Sequence, residues 1–150
     1  ALRPTDPATL ALRASILLRA GRADEALVAL EPVRATEYWQ MQPTLWLFAG
    51  QVELALLRFE ESRASLERYA ESEPGLALVW QLLQNVYLAL ELDGLAYRAK
   101  HNLAANLYMV GLDAERSGDV ERARDALQRA LDVAPDYEAA KEALARLSGG

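Results

Sequence analysis

The chain has 150 residues, of which 52% are hydrophobic and 25% charged, with a formal charge of −6; that is the size of one domain or one short repeat array. It has no Cys and a single His, His101, so disulfides, thiolate chemistry, Cys-based zinc or iron–sulfur sites and a two-His metal helix are excluded, and no cofactor is expected. The acidic balance argues against nucleic acid as a partner, and no apolar run approaches the ~18–20 residues that cross a bilayer, so direct membrane insertion is not expected.

Ala and Leu supply 56 of the 150 residues against 8 Gly and 6 Pro, a balance that points to helices rather than a turn-rich β fold. Residues 1–6, with Pro4, read as the tail of an upstream element, which makes the chain a fragment of a longer array. A first helical hairpin is predicted over 7–42, with Asp6 as cap, Pro7 at the first helical position, Leu10, Ala14 and Leu17 on one face, a turn at Gly21 and Ala26 on the returning helix. Its last six residues, from Glu37 to Gln42, predict a longer, partly apolar loop that carries Tyr38 and Trp39. A second hairpin over 43–76 repeats the order with Pro43, Trp46, Gly50, Ser62, Leu66 and Pro74. A third over 77–103 has Trp80, Leu83, Tyr87 and Ala96 but is seven residues short, and a fourth over 104–137 has Leu107, Gly111, Gly118, Ala123, Leu127 and Pro135.

Seven residues is about two helical turns, so the deletion keeps side-chain facing unchanged. No Gly or Pro separates Gly94 from Gly111. Leu95 to about Ser117 is therefore predicted as one long or kinked helix, the alternative being a turn near Asn102–Asn106. Residues 138–150 form a final helix and tail, with Ala140, Leu144 and Leu147 on one stripe. Asp93, Asp119 and Asp136 stand just before helices, where a carboxylate complements the positive helix end. Arg63–Glu67, Asp125–Arg129 and Glu142–Arg146 have i,i+4 spacing for surface ion pairs.

This recurring order of large, small, turn, small, large and Pro residues resembles the tetratricopeptide repeat (TPR), a 34-residue helix–turn–helix. In that register Trp46 and Trp80 stand at position 4, Gly50 and Gly111 at position 8, Gly21 and Gly118 at position 15, and Pro4, Pro74 and Pro135 at position 32. Small residues at 8 and 20 let the two helices cross closely, large ones at 4, 7, 11 and 24 fill the surrounding space, and Pro stops the second helix. The two Trp read as core, with ligand stacking as the alternative. The resemblance implies an all-α, right-handed α-solenoid of about four antiparallel helix pairs with a C-terminal capping helix. One hairpin cannot bury its whole apolar face, so neighbours stack on it. Without an upstream repeat, Leu10, Leu17, Leu27 and Leu30 would form an exposed N-terminal face open to self-association.

Chemistry-bearing motifs are lacking. There is no phosphate-binding loop and no GxSxG elbow. Glu60–Glu61 and Glu71/Glu73 follow solvated helix faces, and Arg122, Arg124 and Arg129 are interleaved with Asp119, Glu121 and Asp125, so their charge nearly cancels. His101 reads as a helix residue at a groove or interface. The TPR resemblance implies a non-catalytic protein–protein interaction scaffold that binds a peptide or helix in a concave groove. The groove positions map to Ser15, Arg19, Leu47, Gln51, Leu54, Gln81, Asn85, Leu88, Tyr108 and Leu112. The Lys/Arg clamp with which some TPR proteins grip a carboxylate terminus is absent from them. Tyr38 and Trp39, outside the repeat positions, are the alternative contact patch if exposed, the other reading being that they pack within the loop. Fourteen Arg against two Lys suggest a GC-rich bacterial source, cytoplasmic or periplasmic, with envelope or secretion assembly as the expected setting. The alternatives are an accessory TPR domain of a larger enzyme, such as a periplasmic zinc metallopeptidase, or a type III secretion chaperone.

Overall fold

The computed structural model describes residues 6–149, and among these it contains helices and no strand. The helices are α1 (Pro7–Arg19), α2 (Ala23–Arg34), α3 (Glu37–Met41), α4 (Thr44–Ala55), α5 (Phe59–Ser72), α6 (Ala77–Ala89), α7 (Asp93–Arg116), α8 (Val120–Val133) and α9 (Glu138–Ser148). The long fused helix is present: α7 runs unbroken for 24 residues, with no turn near Asn102–Asn106.

The same turn recurs four times. The N–H of Arg22 donates to the carbonyl of Leu17 at 2.9 Å, Arg58 to Glu53 at 2.8 Å, Leu92 to Tyr87 at 2.8 Å and Asp119 to Ala114 at 2.9 Å. Each closure requires a left-handed residue just before the donor. Those residues are Gly21 (φ 74°), Leu57 (φ 58°), Glu91 (φ 57°) and Gly118 (φ 81°), the only positive-φ positions among the described residues. Two use glycine; Leu57 and Glu91 adopt the conformation against the clash of Cβ with the following carbonyl.

The chain divides into two compact units, residues 6–74 with 89–91 and residues 75–88 with 92–149. In the first, α1 packs on α2, α4 on α5 and α2 on α4. Its core includes Ala14, Leu17, Ala26, Leu30, Val33, Trp39, Ala49 and Val52. In the second, α7 packs on α8 and α9 covers α8. Leu103, Leu107, Leu127, Ala130, Ala140 and Ala143 form a core against which Ala77 and Trp80 of α6 also pack.

Glycine sets the closest crossings. A Cβ on Gly50 would lie 2.5 Å from Leu66 Cγ, and one on Gly111 2.8 Å from Leu127 Cγ. Burying these leucines against bare backbone offsets the ~1 kcal/mol that Gly costs inside a helix relative to Ala. At the first crossing the Ser62 hydroxyl also donates to the Gly50 carbonyl at 2.8 Å.

Several expectations need correction. The Glu37–Gln42 loop is mostly the short helix α3, because Trp39 at its centre is drawn into the core. Leu17, Leu27 and Leu30 are buried and Leu10 is partly so, since α2 and α4 pack on them. The exposed apolar residues of the first pair are instead Leu12, Ile16 and Val28. Asp6 caps α1 by accepting from the Thr9 N–H at 3.2 Å, and Asp119 caps α8 through Arg122 at 3.1 Å. Asp93 is already inside α7, however, and Asp136 precedes α9 without a cap bond. Arg146 turns away from Glu142 to pair with Glu115 at 2.8 Å, a contact that ties α9 to α7. The Pro4 tail lies outside the described residues.

Candidate functional site

The residues singled out for a groove fall on both units, and each unit is described by itself. In the first, α1 holds Ser15 half-buried, with its hydroxyl turned back to donate to the Leu12 carbonyl at 2.8 Å, and Arg19 exposed. Leu47, Gln51 and Leu54 follow one another along α4 at i, i+4, i+7 spacing, which puts them on one stripe; all three are half-buried. In the second unit, Gln81, Asn85 and Leu88 form a stripe of the same spacing on α6, and all three are exposed. Among the described residues the amides of Gln51, Gln81 and Asn85 have no side-chain hydrogen-bond partner. Each therefore presents a free donor and a free acceptor. Tyr108 and Leu112 on α7 are half-buried; Tyr108 stands edge-on to Tyr137, ring centroids 5.6 Å apart, and so helps hold the segment before α9.

Gln81 lines a pocket. α6, α7 and α8 enclose about 220 Å³ between Gln81, Leu103, Leu107, Arg129, Asp132 and Val133. The mapping to repeat positions missed the other five, because Leu103, Arg129, Asp132 and Val133 lie on second helices and Leu107 stands at a core position of the first.

The alternative patch is corrected in half. Trp39 is 1% exposed. It is held edge-on to Trp46 at 5.1 Å and lies beneath the Arg34 guanidinium, 5.0 Å from its ring centre. An amphipathic indole with a core on one side and a cation on the other has no surface left for a partner. Tyr38 beside it stays half-buried.

Sequence reading also missed Glu53, a carboxylate only 2% exposed. Arg34 pairs with one of its oxygens and the Ser65 hydroxyl donates to the other at 2.7 Å. The network joins α2, α4 and α5. One signal was available: Glu53 occupies the place taken by Leu17, Tyr87 and Ala114 in the other hairpins, and a charge at an apolar position needs a partner.

Outside that network burial pushes the Tyr69 phenol up, and the other shifted groups belong to exposed pairs. Hydrogen bonding from Arg146 holds the Glu115 carboxylate below its ordinary range, and the same bond raises the Arg146 guanidinium. His101 stacks on Tyr97, centroids 4.1 Å apart, and its Nε2 lies 3.8 Å from Asp136. Among the described residues no group of three or more His, Asp or Glu is placed to hold a metal ion, and no helix is long and apolar enough to cross a membrane.

No family model matches the chain, and no curated protein matches it. Solved structures do. "Crystal structure of MamA protein" superposes with a TM-score of 0.60 at 15% identity, over 96% of this chain and 81% of that one. "MamA 41-end from Desulfovibrio magneticus RS-1" gives 0.59 at 17% identity, over 99% of this chain and 96% of the other. At such identities the likeness establishes the fold: an all-α helical solenoid of antiparallel helix pairs.

Proposed function

We propose that this chain is a TPR-type, non-catalytic protein-interaction scaffold, working in bacterial envelope or secretion assembly, in which each unit offers a binding stripe of its own, that on α4 in the first and that on α6 in the second. The observation that carries this is the set of amides on those stripes, Gln51, Gln81 and Asn85, each without a side-chain partner among the described residues and flanked by Leu47, Leu54 and Leu88. An extended peptide needs donors and acceptors in just this alternation with apolar contact. The four repeated hairpin turns support the repeat reading. The solenoid fold of the MamA structures fits it too, since stacked hairpins leave long helix faces uncovered.

The test is capture by crosslinking, with the whole chain as bait. Gln81→Ala/Asn85→Ala should reduce recovery of a partner about tenfold or more while leaving thermal stability within ~0.5 kcal/mol of the parent, because both side chains are exposed. Tyr38→Ala should leave recovery unchanged. Capture that survives the double substitution but is lost with Tyr38→Ala would move the binding face to α3 and sink this reading.

A further inference from the structure

We propose that the pocket between α6, α7 and α8 anchors a peptide ligand by one apolar side chain, with a basic residue of the same peptide placed beside it on Asp132. The inference rests on the protein-binding reading above and gives the partner its chemistry.

Size comes first. At about 220 Å³ the pocket is smaller than the ~300–1,000 Å³ of sites that hold a cofactor or drug-sized ligand. It suits a single Leu- or Met-sized side chain. Leu103 and Leu107, one turn apart on α7, are both buried in the core from which they reach the pocket, and Val133 closes it from the end of α8. These walls belong to the packed interior of the unit, so the cavity is held open by residues that cannot easily collapse into it.

The rim supplies direction and charge. The Gln81 amide can donate to and accept from one peptide unit next to the anchored side chain. Arg129, the cation of the rim, is drawn 3.9 Å from Asp125. Asp132 receives only the neutral Gln128 amide, at 3.0 Å, and among the described residues it has no ion-pair partner. Asp132 is therefore the rim charge left without an ion-pair partner among the described residues, on a chain whose formal charge is −6. Both the contact and the long-range field favour a Lys or Arg in the ligand and repel an acidic one.

A randomised peptide library panned against the whole chain tests this. Enriched peptides should carry one aliphatic residue with a Lys or Arg beside it. Panned against Asp132→Lys, the same library should yield acidic neighbours instead, and Asp132→Asn should erase the charge preference. Gln81→Ala should weaken a synthetic consensus peptide about tenfold, and bound peptide should shift the methyl resonances of Leu103, Leu107 and Val133. Enrichment that ignores the Asp132 variants, or methyl shifts confined to α4, overturns this inference while leaving the scaffold reading intact. A library that gives no binder overturns it as well, and the scaffold reading then stands or falls on the crosslinking capture.

Discussion

Arg34 and Glu53, nineteen residues apart in the sequence, meet in an ion pair whose carboxylate is buried. The guanidinium reaches it from α2 while lying over the Trp39 ring, and Ser65 closes the other oxygen from α5. One side chain on α4 thus fixes two neighbouring helices. Removing Glu53 strands the inner part of a guanidinium. Breaking a buried pair from one side costs ~3–5 kcal/mol, so Glu53→Ala should lose close to that in urea denaturation. Glu53→Gln, which keeps the Ser65 bond, should lose less. A loss below about 1 kcal/mol for Glu53→Ala would mean that the pair acts as a surface contact.

Gly50 and Leu66 form a second matched pair. Gly50→Ala gains helix propensity, ~1 kcal/mol, but places Cβ 2.5 Å from a leucine branch point that cannot swing aside. We expect net destabilisation of ~1–3 kcal/mol from overpacking. Leu66→Ala alone should cost ~2–5 kcal/mol as a cavity. The double variant should be less unstable than the sum of the two, because truncating Leu66 makes room for the new Cβ, which in turn fills part of the cavity. Strict additivity in that cycle would rule out the contact.

Leu57 and Glu91 hold left-handed turns without being glycine. Leu57 is also largely exposed, so replacing it sacrifices little burial. Leu57→Gly should raise stability by ~1 kcal/mol, and Glu91→Gly by a similar amount. Gly118→Ala should lower it by about as much. Thermal melts that move in the opposite direction would show that the side chains matter more than the backbone.

The Glu115–Arg146 bond predicts a pH dependence. Glu115 is depressed in the folded chain, first by the hydrogen bond from Arg146, against burial. Its contribution is therefore complete above the ordinary carboxylate value near 4.5 and is lost as pH falls through the lowered one. The urea midpoint of Glu115→Gln should lie below that of the parent at neutral pH. The gap should close in acid. A gap that persists at low pH would place the effect outside this carboxylate.

Much of the local structure was legible because it follows from residue type alone. Gly21 and Gly118 announce turns that need positive φ, Asp6 and Asp119 announce caps, and the absence of Gly or Pro between Gly94 and Gly111 announces the unbroken α7. Leu57 and Glu91 announce nothing, since their backbone is dictated by the hairpin closure and not by their own preference. Of the groove residues, exposure and free amides on α6 were accessible from spacing, but the pocket around Gln81 was not.

What the sequence determined by itself is the helical periodicity, the small residues where helices cross and the repetition of the turn, all of which are encoded within one hairpin's length. Tertiary structure decided the rest. It buried Trp39 rather than exposing it, sent Arg146 to Glu115 instead of its helical neighbour Glu142, and brought Arg34 and Ser65 to Glu53. It also opened the pocket between Gln81, Leu107 and Asp132. Those outcomes depend on which side chains from separate helices compete for the same space and charge, and a one-dimensional pattern holds no record of that competition.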